Sequence, residues 1–305
     1  MASYSMNPTS LLPDVASLNV SDIAIDQVGM SHISLPIPFE IDQQTITAPT
    51  KVSIRANVKN HQKGLHMSRM YQSLQALTQH SLTPVTLKES LQSALEQQKE
   101  VNSDCIFCDI ETEVLRKRSA LHTQQYGWNR YPVKVSARFD HQTGITVSLR
   151  VTVTYSSSCP ASAALSRKAL KEVFLDQFHY EPSKVDKQQI AQWLEQQGTY
   201  AIPHSQRSEA DITVDVTGTE FPIESLIDLC ERALGTPVQT FVKRQDEQQF
   251  AINNGQNPMF VEDASRRLMQ ALTDNGYSGH LAISHYESLH GHNAVAQSSF
   301  GHKDT

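Results

Sequence analysis

Glycine is scarce in this 305-residue chain: 12 residues, about 4% where ~7% is usual. No two glycines are spaced G-x-G, which excludes the dinucleotide fingerprint, and no G-x-x-x-x-G-K-[ST] run exists, which excludes a P-loop. A phosphorylated ligand would have to be held without a glycine cradle. Cysteine is scarce too. Cys105, Cys108, Cys159 and Cys230 are too few to staple a chain of this size, which points to a reducing, cytoplasmic setting with each thiol open to chemistry or packing. No apolar run approaches the length of a membrane span, so no membrane partner is expected. Basic residues are not in excess: 26 against 32 acidic, a formal charge of -6, which argues against a nucleic-acid partner. The first 26 residues lack a basic start and a continuous apolar stretch, so they do not read as a secretory signal. A flexible arm is expected over 1–18 and a short tail over 299–305.

What is present is a strong alternation of apolar residues. Val52, Ile54, Ala56 and Val58 share one face of a strand over Lys51–Lys59. Met70, Leu74 and Leu77 are spaced for a helix over Ser68–Gln79. A second helix follows Pro84, with Thr86-x-x-Glu89 as its expected capping box and Leu87, Leu91, Ala94 and Leu95 on its inner face. Strands are expected over Cys105–Ile110, Val133–Phe139 and Ile145–Tyr155, the last two joined by a hairpin turn at Asp140–Gly144. A second round of strand and helix begins near Ser208. Ile212, Val214 and Val216 alternate, Pro222 sits just inside a helix ending at Leu234, Gly235 stops it, and Phe260–Asn275 forms another helix. Short strands over His280–His285 and Asn293–Ser298 close the chain. Strands with paired helices, repeated, fit an α+β layer better than a doubly wound sheet. Between the rounds, Ala161–Phe178 and Asp186–Gln197 read as an inserted helical pair, which Ile190, Trp193 and Leu194 could pack onto the body or a neighbouring subunit.

Several polar groups stand where chemistry is possible. Cys159 ends the longest strand, follows Ser156–Ser158 and precedes Pro160. A thiol there can ligate a metal, attack a substrate or be buried for packing. Cys105-x-x-Cys108 has no second C-x-x-C and no histidine pair nearby, so both read as packing residues. His66 and Arg69 stand at a strand-to-helix junction suited to an anion. His290 and His292 are two apart and would share a face in a strand. The run Lys243-Arg244-Gln245-Asp246-Glu247 lies between two helices and reads either as a solvated charge run or as part of a site. Glu262 and Asp263 open the next helix, where acids suit the macrodipole; Arg266 and Arg267 read as solvated.

Taken in order, KGLHMSR (Lys63–Arg69), SSSCPAS (Ser156–Ser162), HSQRS (His204–Ser208), KRQDE (Lys243–Glu247), NPMFVED (Asn257–Asp263) and ESLHGHNA (Glu287–Ala294) resemble the type IB GTP cyclohydrolase I family. Asp26–Gly29 fits as well, and the likeness runs from about Asn19 to Ser298. The resemblance implies a tunnelling fold (T-fold) with two tandem modules, 19–144 and 145–298, the second carrying the insertion over about 161–200. It implies a homotetramer with active sites at subunit interfaces, and a reaction that turns GTP and water into 7,8-dihydroneopterin triphosphate and formate, the entry to folate biosynthesis.

The resemblance makes Cys159, His204 and Glu247 the ligands of a divalent metal, with zinc, manganese and iron(II) all compatible with a mixed S, N, O set. It makes Glu262 the anchor of the guanine edge, since a carboxylate accepts two parallel N–H bonds. Glu287, His290 and His292 become the acid/base group beside the metal, with Cys159 serving catalysis through it. His66, Arg69, Arg207, Lys243 and Arg244 become candidates for the triphosphate. Two departures stand out. Ala161 occupies a position where the family often has a second cysteine, and His204 lies 45 positions after Cys159 because the insertion intervenes. His179, inside the insertion, is the weaker alternative ligand. Two rival readings keep the fold and change the chemistry: a nitrile reductase with a covalent cysteine and NADPH, and a purine- or pterin-binding oligomer without turnover.

Overall fold

The computed structural model describes residues 22–180 and 184–301; the expected arm over 1–18 and most of the tail lie outside them. The strands are β1 (Ile25–Ile41), β2 (Gln44–Val58), β3 (Cys105–Ser119), β4 (Tyr126–Asp140), β5 (Gly144–Ser158), β6 (Ser205–Asp215), β7 (Gly279–His285) and β8 (Ala294–Phe300). The helices are α1 (Met67–Gln75), α2 (Pro84–Glu96), α3 (Pro160–Gln177), α4 (Lys187–Gln197), α5 (Ile223–Leu234), α6 (Arg244–Gln256) and α7 (Val261–Asp274). Strand order in the sheet follows chain order, from β1 to β8. This is the α+β architecture expected of a tunnelling fold: an antiparallel sheet, helix pairs and an inserted helical pair. No helix among the described residues is long and apolar enough to cross a membrane.

The residues fall into two compact units. The first holds the chain through Glu113 with Val133–Leu149 and Asp215–Phe221; the second holds Val114–Pro132, Arg150–Val214 and the chain from Pro222. In the first, Val52, Ile54, Ala56 and Val58 of β2 are buried as their alternation requires, each worth roughly 1–3 kcal/mol of removed apolar surface. Ile54 pairs with Cys108 of β3. Strand β1, which contains Pro36 and Pro38, is not among the strands expected from the sequence. It pairs antiparallel with β2, with register shifts between Ile25 and Val28 and between Met30 and Ile33, and buries Leu35, Ile37, Phe39 and Ile41. Its place at the sheet edge explains the prolines, since no further strand needs their missing N–H groups. Gly29 is required there: a Cβ would lie 1.9 Å from the Ile54 carbonyl oxygen.

The cap of α2 corrects the expected one. Thr83, not Thr86, is the N-cap; its hydroxyl accepts the Thr86 N–H at 3.1 Å, and the Thr86 hydroxyl accepts the Thr83 N–H at 2.9 Å. Pro84 is the first helical residue, where its fixed φ fits and no N–H is needed. The hairpin between β4 and β5 is as expected. Asp140 accepts the N–H groups of Gln142 and Thr143 and the Thr143 hydroxyl, and Gly144 takes a φ of +77°.

In the second unit, two expectations are corrected. Pro222 caps α5 from outside. The charge run 243–247 opens a helix of its own, α6, whose sequence has almost no apolar face; its only buried residue is Asp246. The Asp246 carboxylate accepts N–H bonds from His122, Thr123 and Lys243 and the Thr123 hydroxyl proton. Those bonds, the Thr123 hydroxyl foremost, hold its pKa far below the ordinary carboxylate range although burial works against them. Trp193 of the inserted pair is buried. Its ring meets Phe174 and Phe178 edge-on at 5.2 and 6.3 Å, joining α4 to α3, while Leu194 is exposed.

Candidate functional site

The site residues of the second unit gather where β5, β6 and β7 end. Cys159 follows β5 and is the N-cap of α3, its sulfur 3.5 Å from the Ser162 N–H. The inserted helices α3 and α4 then leave and return, and the chain is stitched at the exit. The Cys159 N–H donates to the His204 carbonyl at 3.2 Å, and the His204 N–H donates to the Ser162 hydroxyl at 3.2 Å. The hydroxyls of Ser158 and Ser205 lie 2.8 Å apart. The 45 positions between Cys159 and His204 are therefore an excursion that returns to its starting point.

His204 leads into a short polar chain. Its Nδ1 is 2.9 Å from Gln206 Oε1, and Gln206 Nε2 donates to Glu287 Oε1 at 3.3 Å. Glu287 Oε2 is buried and has no hydrogen-bond partner among the described residues. It lies 3.9 Å from His204 Nδ1, beyond hydrogen-bond reach. Beside this chain, Tyr155, Ser205, Gln206, Arg207, Glu247 and Phe250 line a cavity of about 450 Å³. Glu247 enters it from the first turn of α6.

Beneath these groups sits His285, the last residue of β7 and 2% exposed. Its Nε2 is 2.8 Å from the Tyr155 hydroxyl and its Nδ1 3.3 Å from the Ser157 hydroxyl, which in turn meets Ser208 at 2.8 Å. Burial lowers the His285 pKa, while the charges of Glu287 and Glu262 oppose that shift. Two of the three expected site carboxylates thus bear on one buried imidazole.

The remaining expected residues are placed as follows. Glu262 is exposed in the first turn of α7, and the loop before it is tied down by the Met259 N–H on the Ser158 carbonyl. His290 and His292 lie in the β7–β8 connection rather than in a strand. Their rings stack on each other 5.0 Å apart at 10°, both exposed to solvent. Arg207, Lys243 and Arg244 are exposed, Arg207 on the cavity wall. His66 and Arg69, in the first unit, both face Glu100, at 3.4 and 2.9 Å.

The donor set Cys159, His204 and Glu247 offers one thiol, one imidazole and one carboxylate, a chemistry that suits a zinc-like ion. Two of the three are joined through their backbones and the third lines the adjoining cavity. Among the described residues no three His, Cys, Asp or Glu side chains already converge on one metal-sized point.

Two residues were missed in the sequence: Gln206 and His285. A signal for both existed. Stepping back by twos from the buried Val214, Ile212 and Ala210 of β6 reaches Ser208 and Gln206. Stepping forward from the buried Leu281 and Ile283 of β7 reaches His285. A polar side chain at the end of an inward-facing apolar row is a site residue until shown otherwise.

Residues 12–296 match the family described as type I GTP cyclohydrolase folE2. "GTP cyclohydrolase FolE2" of Serratia proteamaculans (strain 568) is 44% identical over 307 residues, covering 98% of this chain and 98% of that protein. The protein of that name from Pseudomonas syringae pv. tomato is 42% identical over 95% of this chain and 98% of its own length. That from Xanthomonas axonopodis pv. citri is 39% identical over 96% of each. Matches of this length and identity run through every motif of the site, and the chain belongs to the type I GTP cyclohydrolase folE2 family.

Proposed function

We propose that this chain is a metal-dependent GTP cyclohydrolase I that converts GTP and water to 7,8-dihydroneopterin triphosphate and formate, the first step of folate and pterin biosynthesis. The observation that carries this reading is the stitched pair Cys159 and His204, set beside a cavity that Glu247 and Arg207 line. A divalent ion held by Cys159, His204 and Glu247 supplies Lewis-acid chemistry, making water a nucleophile near neutral pH.

The other residues do the binding and the proton work. Glu262 accepts the N1–H and the exocyclic amine of guanine, a bidentate pairing that selects guanine over adenine. Glu287, whose buried Oε2 has no hydrogen-bond partner among the described residues, is in this reading the group that takes or returns a proton. The exposed imidazoles of His290 and His292 exchange protons with the opened ring, a task matched to histidine near neutral pH. Arg207, Lys243, Arg244, His66 and Arg69 are the candidates that neutralise the triphosphate by side-chain charge, some of them supplied by neighbouring subunits.

The active unit is a homo-oligomer, in our reading a cytoplasmic homotetramer with interfacial sites. Large exposed apolar side chains support it, among them Trp128 at 56%, Leu165 at 67% and Ile202 at 68% exposure. The test is purified protein with GTP and zinc, manganese or iron(II), assayed for formate and for fluorescent oxidised pterin. Formate together with pterin, both lost in Cys159→Ala, is the expected result. Formate without metal, or GTP binding with neither product, would overturn the reading.

A further inference from the structure

We propose that Gln206 is a positioning residue that fixes the tautomer of His204, presenting its Nε2 to the metal, and at the same time orients Glu287. The inference rests on the proposed metal-centre reading and extends it to a residue that the resemblance leaves without a role.

The argument is one of forced hydrogen-bond roles. An ionised carboxylate can only accept. Gln206 must therefore turn its NH2 toward Glu287, and the 3.3 Å contact to Oε1 is Nε2–H donating. An amide with its nitrogen committed to Glu287 has its oxygen facing the other way, 2.9 Å from His204 Nδ1. That oxygen can only accept, so Nδ1 must carry the proton. A neutral imidazole protonated at Nδ1 has its lone pair on Nε2, the form that can ligate a metal.

The alternative donor assignments fail. Flipping the amide would aim an oxygen at a carboxylate oxygen and an NH2 at a ring nitrogen, leaving Glu287 without its donor. Handing the Nδ1 proton to Glu287 is excluded by the 3.9 Å separation. Gln206 itself is 8% exposed, so water is a poor substitute for either partner. The chain has a second consequence. Holding Glu287 through Oε1 alone leaves its buried Oε2 without a hydrogen-bond partner among the described residues, 3.9 Å from His204 Nδ1. One amide thus sets both the metal-facing nitrogen and the proton-transferring oxygen.

The test uses three variants of the full chain, each checked by circular dichroism. Gln206→Met keeps the length and removes both hydrogen bonds. Gln206→Glu keeps an acceptor for Nδ1 and removes the donor to Glu287. Cys159→Ala removes a proposed ligand. The readouts are zinc retained against a competing chelator and formate released from GTP. Gln206→Met should weaken zinc binding about 10- to 100-fold and lower turnover. Gln206→Glu should hold zinc within about threefold of wild type and still lose turnover. Zinc held by Gln206→Met as tightly as by wild type would overturn the proposal. So would equal loss in Met and Glu variants, which would mark Gln206 as mere packing. Should Gln206→Met fail to fold, the separation of zinc binding from turnover in Gln206→Glu decides alone. Cys159→Ala tells the two levels apart: zinc retained there would overturn the metal-centre reading itself, whereas zinc lost there but kept in Gln206→Met would overturn only the role of Gln206.

Discussion

The chain carries cysteine in two quite different settings, and the contrast separates packing from chemistry. In the CIFC run of β3, Cys108 is 1% exposed and burial pushes its thiol up to about 12. Cys105 is raised by burial as well. Neither can present a thiolate near neutral pH. At the SSSCP junction, Cys159 is partly exposed, stands at the N-terminus of an 18-residue helix and takes the Ser162 N–H on its sulfur. The pattern that looks like a motif is inert, and the single cysteine at a strand-to-helix junction is the one positioned to act.

The largest expected effect breaks this contrast directly. Cys159→Ala should lower formate release by more than about 100-fold, beyond the range of outer-shell changes at metal sites. Cys108→Ala should leave turnover near wild type and instead cost about 1 kcal/mol of stability through lost packing. Formate assays and thermal unfolding on both variants check the pair. Equal losses of turnover would erase the distinction.

A neighbouring pair of carboxylates sharpens the same lesson. Asp246 is buried under four accepted hydrogen bonds, whereas Glu247, the next residue, is exposed on the cavity wall. Glu247→Gln should reduce metal retention at least about tenfold with an unchanged melting temperature. Asp246→Asn should lower Tm by roughly 5 °C, because it breaks the tie to residues 122 and 123. Metal analysis and calorimetry read the two effects separately.

Thiol accessibility offers a smaller test. Native metal-free protein should react with a thiol reagent at one cysteine per chain, Cys159. All four should react after unfolding, since Cys230, like Cys108, is buried and raised to about 12. Two or more fast-reacting native thiols would contradict the packing assignment. The smallest effect concerns the hairpin. The Thr143 hydroxyl, then the Thr143 and Gln142 N–H groups and Arg138, lower the Asp140 carboxyl to about 2. Its folded-state pKa is depressed, so its stabilisation is complete above about pH 4 and is lost as pH falls toward 2. Asp140→Asn should flatten the loss of Tm over that interval.

The strongly periodic elements were legible in the sequence because burial imposes the period. β5, α1 and α7 lie within a few residues of where their apolar spacing places them, and β2 covers its expected span but begins seven residues earlier, at Gln44. β1 was not, since its prolines are tolerated only at an edge, and edge position is a property of the sheet. α6 was not, since it is anchored by Asp246 rather than by an apolar face. Within the site, Cys159, His204 and Glu287 were legible as motifs, and the structure brings them together. Gln206 and His285 were hidden because each ends an apolar row whose polar turn matters only once three strand ends meet. Glu262 stands exposed in the first turn of α7, and His290 and His292 stand exposed in the β7–β8 connection.

The central claim is that the sulfur of Cys159, and no other, reaches a metal ion. Cobalt(II) substitution reads this directly, because a thiolate bound to cobalt gives a ligand-to-metal charge-transfer absorption that imidazole and carboxylate do not. The account predicts that band in the wild-type chain and in a Cys105→Ala/Cys108→Ala double variant, and its loss in Cys159→Ala. A band that persists in Cys159→Ala, or that vanishes only with Cys105 and Cys108, would contradict it.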